Sequence, residues 1–245
     1  MRYAVLSDVH SNLEALGAVL NYLTDKNIQA TLCCGDLVGY GPDPNEVVAR
    51  VSGLPHLSVV AGNHDRAAVG AMALSWFNPL AAYALRWTAE HLGTESRRYL
   101  EGLPERAQGP EWTVVHGSPA DPIREYLFEA GDFERQMDGF PSEVCFVGHT
   151  HRPALYRVPK GEKGRLERPV PETPARLEPG ERALINPGSV GQPRDGDPRA
   201  SVLIFDSEKR ELTWNRVSYP IESVQRKMER EGMPKFLIER LGRGV

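Results

Sequence analysis

The stretch "VGHTHRP" sets His149 and His151 one residue apart, directly after the apolar run Val144–Val147. In an extended chain, residues i and i+2 face the same side, so the two imidazoles project together from a strand end. The same junction recurs upstream. "LSDVH" places Asp8 and His10 after an apolar run, "CCGDLVGYG" places Asp36, "VVAGNHD" places Asn63, His64 and Asp65, and "VVHGSP" places His116. Five of the seven histidines follow apolar runs in this way, whereas His56 and His91 do not. A single Asp or His there would be read as a loop cap or a satisfied polar group, but five junctions together need another reason.

Oxygen and imidazole donors without thiolate suit first-row divalent metals. Asp8, His10, Asp36, Asn63, His116, His149 and His151 are too many for one tetrahedral site and suit two metals sharing a carboxylate. Mn²⁺ is the expected ion, with Fe, Ni²⁺, Co²⁺ or Zn²⁺ as alternatives. Two dications against the carboxylates of Asp8 and Asp36 leave an electropositive centre that attracts an anionic substrate. Metals about 3.5–4 Å apart hold a bridging hydroxide and clamp an in-line phosphoryl displacement. His149 and His151 are then expected to reach one metal each.

These residues need strands behind them, and the pattern supplies them. Residues 3–7, 30–34, 57–62, 112–117 and 143–148 read as strands, followed by 154–158, 182–186, 200–205 and 211–217. Leu13, Leu16, Val19, Leu20 and Leu23 recur at helical spacing, with Ser11 or Asn12 as N-cap. Residues 45–51 and 78–92 also read as helices, with Pro79 in a first turn, and two short amphipathic helices close the chain. The order is βαβαβα first and mostly β afterwards. It predicts an α/β core whose later strands build or extend a second sheet. If neighbouring strands run parallel, their carboxyl ends open on one crevice.

Of the 245 residues, 40% are hydrophobic, and the formal charge is −4 with no basic block. A small phosphate ester is therefore the expected partner, not an extended nucleic acid. No run reaches the ~18 apolar residues of a membrane span, and "MRYAVLS" lacks the apolar region of a signal peptide. Together with Cys33, Cys34 and Cys145 read as reduced core thiols, this predicts a cytoplasmic protein. One domain over 1–245 is expected. Residues 159–181, rich in Pro, Gly and charge, read as an arm or lid-like loop that overhangs the crevice or meets a second subunit. Monomer and homo-oligomer stay open.

In order, "DVH", "GDLVGYG", "GNHD", "VVHG" and "GHTH" resemble the five blocks of the calcineurin-like metallophosphoesterase superfamily. "NPGSVGQPRD" (186–195) resembles a further stretch in its small stand-alone prokaryotic phosphodiesterases. The resemblance implies a four-layer sandwich of two mixed β-sheets flanked by helices. It implies that Asp8, His10, Asp36 and His151 hold one metal, and that Asp36 bridges to a second held by Asn63, His116 and His149. His64 would protonate the leaving oxygen or stabilise the transition state, and Asp65 would hold the His64 imidazole. Phosphatases of the superfamily carry an arginine where this chain has Tyr40, and a phenol cannot reproduce that bidentate fork. Tyr40 either lines the pocket or covers core, while Arg66, Arg124 or Arg194 could reach the substrate from other loops. A phosphodiesterase using a metal-bridging hydroxide is the expected function. The alternatives are a phosphomonoesterase acting on phosphoprotein or nucleotide, and a non-catalytic scaffold.

Overall fold

The computed structural model describes all of residues 1–245. The first half alternates: β1 (Arg2–Leu6), α1 (Leu13–Leu23), β2 (Ala30–Cys33), α2 (Pro44–Ser52), β3 (Leu57–Val59), α3 (Asn63–Ala68), α4 (Pro79–His91) and α5 (Thr94–Glu101). There follow β4 (Arg106–Gln108), β5 (Trp112–Val115), α6 (Ala130–Glu134) and β6 (Val144–Phe146). Then come β7 (Ala154–Val158), β8 (Arg165–Glu167), β9 (Ala175–Arg176), β10 (Arg182–Asn186), β11 (Ala200–Asp206) and β12 (Glu211–Val217), before α7 (Ile221–Arg230) and α8 (Lys235–Glu239).

The strands form two six-stranded mixed sheets, ordered β3-β2-β1-β11-β12-β9 and β4-β5-β6-β10-β7-β8. Alternation along β1 shows why two sheets face each other. Tyr3 and Val5 enter an apolar layer with Leu32, Cys34, Val114, Phe146 and Trp214, drawn from both sheets. Ala4 and Leu6 point the other way, onto Leu16 and Val19 of α1 and Leu85 of α4. With both faces buried, β1 needs a sheet on one side and helices on the other. A thinner outer layer, with Phe133 and Phe140, covers Val115, Cys145 and Tyr156 of the second sheet. This is the expected four-layer sandwich. Cys33 and Cys34 are buried on opposite faces, and all three cysteines are unpaired.

The parallel strands whose ends were expected to open on one crevice are divided between the two sheets. β1, β2 and β3 run parallel in one sheet, and β5, β6 and β10 run parallel in the other. The ligand-bearing ends therefore converge from two facing sheets. β11 returns to the first sheet, antiparallel to β1, with Tyr3 opposite Phe205. Within 159–181, β8 pairs with β7 at one sheet's edge and β9 pairs with β12 at the other's. Leu177 is buried, and so is Glu181, which accepts from Arg157 Nε and Nη2 at 2.5 and 2.6 Å. No helix is long and apolar enough to cross a membrane.

Candidate active site

Loops past the strand ends carry every candidate ligand, and their backbones lace together. Asp8 N–H donates to Gly35 O, His10 N–H to Asp36 O and Ser11 N–H to Leu37 O, at 2.9–3.0 Å. Across the seam, His149 N–H reaches both Asp8 carboxylate oxygens at 3.2 Å. The loop after β10 joins them, with Ser189 Oγ and Gly191 N–H both donating to Asp8 O, at 2.8 and 3.0 Å. Asp8, His10, Asp36, Tyr40, His149 and His151 all take left-handed backbone, with φ of 52°, 50°, 53°, 60°, 67° and 58°. Such conformations cost about 1–3 kcal/mol each and persist where surrounding bonds over-determine them.

The side chains gather in two buried clusters, Asp8 with His10 and His151, and Asp36 with His116 and His149. Within each, the ligating atoms lie within 4.8 Å of one another. Backbone carbonyls fix the imidazole tautomers. His10 Nδ1–H donates to Val38 O, His151 Nδ1–H to Gln192 O and His116 Nδ1–H to Cys34 O, at 3.0, 2.6 and 2.8 Å. His149 is reversed, with Nε2–H on Arg124 O at 3.1 Å. The inward nitrogens are then lone pairs, yet His10 Nε2 and His151 Nε2 lie 3.1 Å apart, and His116 Nε2 and His149 Nδ1 3.0 Å apart. Extra protons do not resolve the contact, because burial pushes His10, His149 and His151 well below the usual histidine range. Burial also pushes Asp8 up to about 7 and Asp36 well above the carboxylate range. Facing lone pairs beside buried carboxylates are a donor set complementary to cations, with carbonyl-oriented imidazoles as metal ligands require. Asp36 Oδ2 lies 3.6 Å from His10 Nε2 and 3.4 Å from His116 Nε2, facing both clusters. Asn63 Oδ1, 3.0 Å from His116 Nε2, joins the second.

His64 stands beside these clusters, its ring 4.8 Å from His10, 4.5 Å from Tyr40 and 5.1 Å from Phe77. Its amide N–H donates to Asp36 Oδ1 at 2.8 Å. The expected support from Asp65 is not formed. His64 and Asp65 are consecutive on α3, and neighbours on a helix do not face each other. Asp65 instead accepts from Val38 N–H and Gly62 N–H, at 3.1 and 2.9 Å, tying the Asp36 loop to the start of α3. His64 Nδ1 is buried without a hydrogen bond, and burial holds the ring's pKa well below its usual range. Gly39, at φ +91°, lies so close that an added Cβ would stand 2.4 Å from that nitrogen.

A cavity of about 350 Å³ opens against the clusters, lined among others by Asn63, His64, His149, Tyr40, Arg124 and Arg194. Tyr40 thus lines the pocket and is buried as well. Arg194 lies with its guanidinium 5.7 Å from the Tyr40 ring centroid. Arg66 turns away: it donates to Leu103 O at 2.8 Å and borders an adjoining cavity of about 460 Å³. Trp76, Phe77 and Tyr126 also line the pocket, and no spacing in the sequence marks them out. Gln192, whose carbonyl orients His151, lay within "NPGSVGQPRD" and was detectable only through that resemblance.

The model of the calcineurin-like phosphoesterase superfamily domain matches residues 1–210. The chain is 40% identical over 243 residues to an uncharacterized protein of Methanocaldococcus jannaschii, covering 97% of this chain and 96% of that protein. Among solved structures, a metallophosphoesterase from Sphaerobacter thermophilus superposes with a TM-score of 0.89 at 42% identity, over 100% of this chain and 99% of that one. A hypothetical protein from Pyrococcus horikoshii OT3 shares the fold, with a TM-score of 0.80 at 22% identity over 100% and 98% of the two chains.

Proposed function

We propose, from the premise that the chain belongs to the calcineurin-like phosphoesterase superfamily, that it is a cytoplasmic phosphodiesterase acting on a small phosphate ester with two divalent cations. Asp8, His10, Asp36 and His151 would hold one cation, and Asp36, Asn63, His116 and His149 the other. Mn²⁺ is the preferred ion in this reading. When bound, the pair would supply an activated water and positive charge for the phosphoryl oxygens. The chain's own residues do the rest. His64 lines the pocket and, on this reading, would hydrogen-bond and protonate a leaving oxygen. Burial keeps that imidazole neutral, and an anionic phosphate beside it works in the opposite sense. Asp65 positions the Asp36 loop. Arg124 and Arg194 bring guanidinium groups to the pocket wall, where they would bind phosphate oxygens.

The observation that carries the diester reading is the pocket itself. It extends past His64 and Tyr40 over Phe77, Trp76 and Tyr126, giving the second ester group an apolar wall that a bare monoester would leave unused. One observation favours a phosphomonoesterase instead: the same pocket receives two arginines, from loops other than that of Tyr40. An aryl phosphodiester and its matching monoester, assayed with the same metal, separate the two. A higher kcat/KM for the diester is expected, with Tyr40→Arg moving the ratio toward the monoester. A wild-type preference for the monoester by roughly tenfold, about 1.4 kcal/mol of transition-state binding, would overturn the diester reading.

A further inference from the structure

Lys227 lies on α7, beyond residue 210, where the match to the superfamily's domain ends. Its ammonium donates to both Asp43 carboxylate oxygens, at 2.9 and 2.8 Å, and lies 2.8 Å from Glu14 Oε1. Glu14 stands in the first turn of α1, and Asp43 is the N-cap of α2. A cation at the starts of two helices opposes both macrodipoles, so helix stability does not account for its place. Asp43 is also diverted from its usual work. An N-cap aspartate normally accepts from the amides of its own first turn, whereas this carboxylate caps nothing and is given to Lys227.

The two helix starts are where the metal-ligand loops end. α1 begins three residues after His10, and the loop that carries Asp36 and Tyr40 runs directly into α2. The loops are laced by His10 N–H on Asp36 O, Ser11 N–H on Leu37 O, Gly41 N–H on His10 O and Asp43 N–H on Ser11 O, at 2.9–3.1 Å. His10, Ser11, Asp36 and Tyr40 all hold left-handed backbone, at φ of 50–60°. Such turns persist only where neighbouring bonds over-determine them. Lys227 closes the open end of this lacing. α7 is pressed against the back of the same loops: its Val224 and Met228 share with His10 and Tyr40 the lining of a cavity of only about 10 Å³. Without the ammonium, two carboxylates bonded to one nitrogen would face each other and push the helix starts apart.

We propose that Lys227 is a positioning residue for the cluster of Asp8, His10 and His151. By joining the starts of α1 and α2, it holds the His10 and Asp36 loops at the spacing at which they share a cation. The inference rests on the two-cation reading above and adds to it a residue that touches neither metal ligand nor substrate.

The test measures Mn²⁺ at each cluster by dialysis against graded chelator, with elemental analysis and anomalous scattering from crystals. Hydrogen exchange of the metal-free protein reads the loop bonds directly. Lys227→Met is expected to lose ~10-fold in Mn²⁺ affinity at the Asp8, His10 and His151 cluster, the low end for a residue that supports ligands from behind. The Asp36, His116 and His149 cluster should be unchanged, and the amides of Gly41 and Asp43 should exchange faster. Lys227→Arg, which keeps the charge, should keep most of the affinity. Asp43→Asn, which can still cap α2, should move affinity and exchange in the same direction, and it serves if Lys227→Met does not fold. Leu237→Ala, a buried residue of α8 outside this network, should lower the melting temperature and change neither. Equal effects of Lys227→Met and Leu237→Ala on Mn²⁺ affinity, or no effect of either Lys227→Met or Asp43→Asn, overturns the positioning role and leaves the two-cation reading standing. Wild-type protein that takes no Mn²⁺ at either cluster removes the two-cation reading instead. Amide exchange then decides the positioning role: faster exchange at Gly41 and Asp43 in Lys227→Met than in Leu237→Ala keeps it, and equal exchange removes it.

Discussion

Gly39→Ala tests whether the position of His64 controls the rate. An added Cβ would stand 2.4 Å from His64 Nδ1, whereas ordinary contact begins at 3.4 Å, so the ring must retreat by the difference, 3.4 − 2.4 = 1.0 Å. Tyr40, His10 and Phe77 stand close around that ring, with centroids at 4.5, 4.8 and 5.1 Å, so little room is left except toward the pocket. A misplacement of ~1 Å costs on the order of 10²-fold in rate. The φ of +91° adds strain of about 1–3 kcal/mol in the folded state. The expected variant is folded, less stable by that amount in urea, normal in metal content and ~10²-fold lower in kcat toward an aryl phosphodiester. His64→Ala alone should lose ~10²–10⁴-fold. The double variant Gly39→Ala/His64→Ala should be no slower than His64→Ala, because the clash partner is gone and the effects cannot add. A further ~10²-fold loss in the double variant, or loss of metal from Gly39→Ala alone, would refute a route through His64.

Asp36→Asn should release metal from both clusters, since Asp36 Oδ2 faces both, within 3.6 Å of His10 Nε2 and 3.4 Å of His116 Nε2; elemental analysis showing one metal retained would argue against a shared ligand. If His64 protonates the leaving oxygen, the loss in His64→Ala should shrink for better leaving groups, and a uniform loss across a phenol series would remove that role. Burial works to raise the Glu181 pKa, but hydrogen bonds from Arg157 and from the Glu178 amide outweigh it and hold the carboxyl below its ordinary value of 4.5. Its contribution is therefore complete above pH 4.5 and lost as pH falls through the lower folded value; Glu181→Gln should flatten that part of the acid-side stability profile. Chelating the metals should lower the melting temperature, since ions at 100 times their Kd contribute about 2.7 kcal/mol; an unchanged melting curve after verified metal loss would contradict a structural contribution.

The strand-end junctions were legible because apolar runs and the ligands after them are both local features. Residues 154–158, 182–186 and 211–217 form strands with the expected bounds. Elements of low periodicity were not legible. α3 is only Asn63–Ala68, and its sequence "NHDRAA" reads as chemistry before it reads as helix. β4 and β8 are three residues each, too short to show alternation. Sheet membership was hidden as well, because pairing is a long-range choice: β11 lies beside β1 nearly two hundred residues from it in sequence. The Asp65 role failed for a different reason. It came from the resemblance, whereas in this structure Asp65 accepts from Val38 N–H and Gly62 N–H, and residues adjacent on a helix do not face each other. Trp76 ends a short 3-10 helix, Leu74–Trp76, and Tyr126 lies in the loop after β5, so only the fold brings both to the pocket wall.

Each ligand cluster draws on both sheets, and this explains features that look unrelated. Asp8, His10, Asp36 and Asn63 follow strands of the first sheet, whereas His116, His149 and His151 follow strands of the second. The seam must hold side chains from the two sheets at ligand distance, and left-handed turns at six site residues aim them there. That strain is tolerable because cross-seam bonds over-determine it, His149 N–H to the Asp8 carboxylate and Gly191 N–H to Asp8 O among them. Behind the imidazoles stand the carbonyls of Val38, Cys34, Gln192 and Arg124, which close those sides to an anion. The approach that remains is through the cavity bordered by His64, Arg124 and Arg194, where donors and positive charge face outward. On the proposed reading, an anionic ester would reach the clusters past Trp76, Phe77 and Tyr126, so selection of its second group and placement of its phosphate would occur along one path.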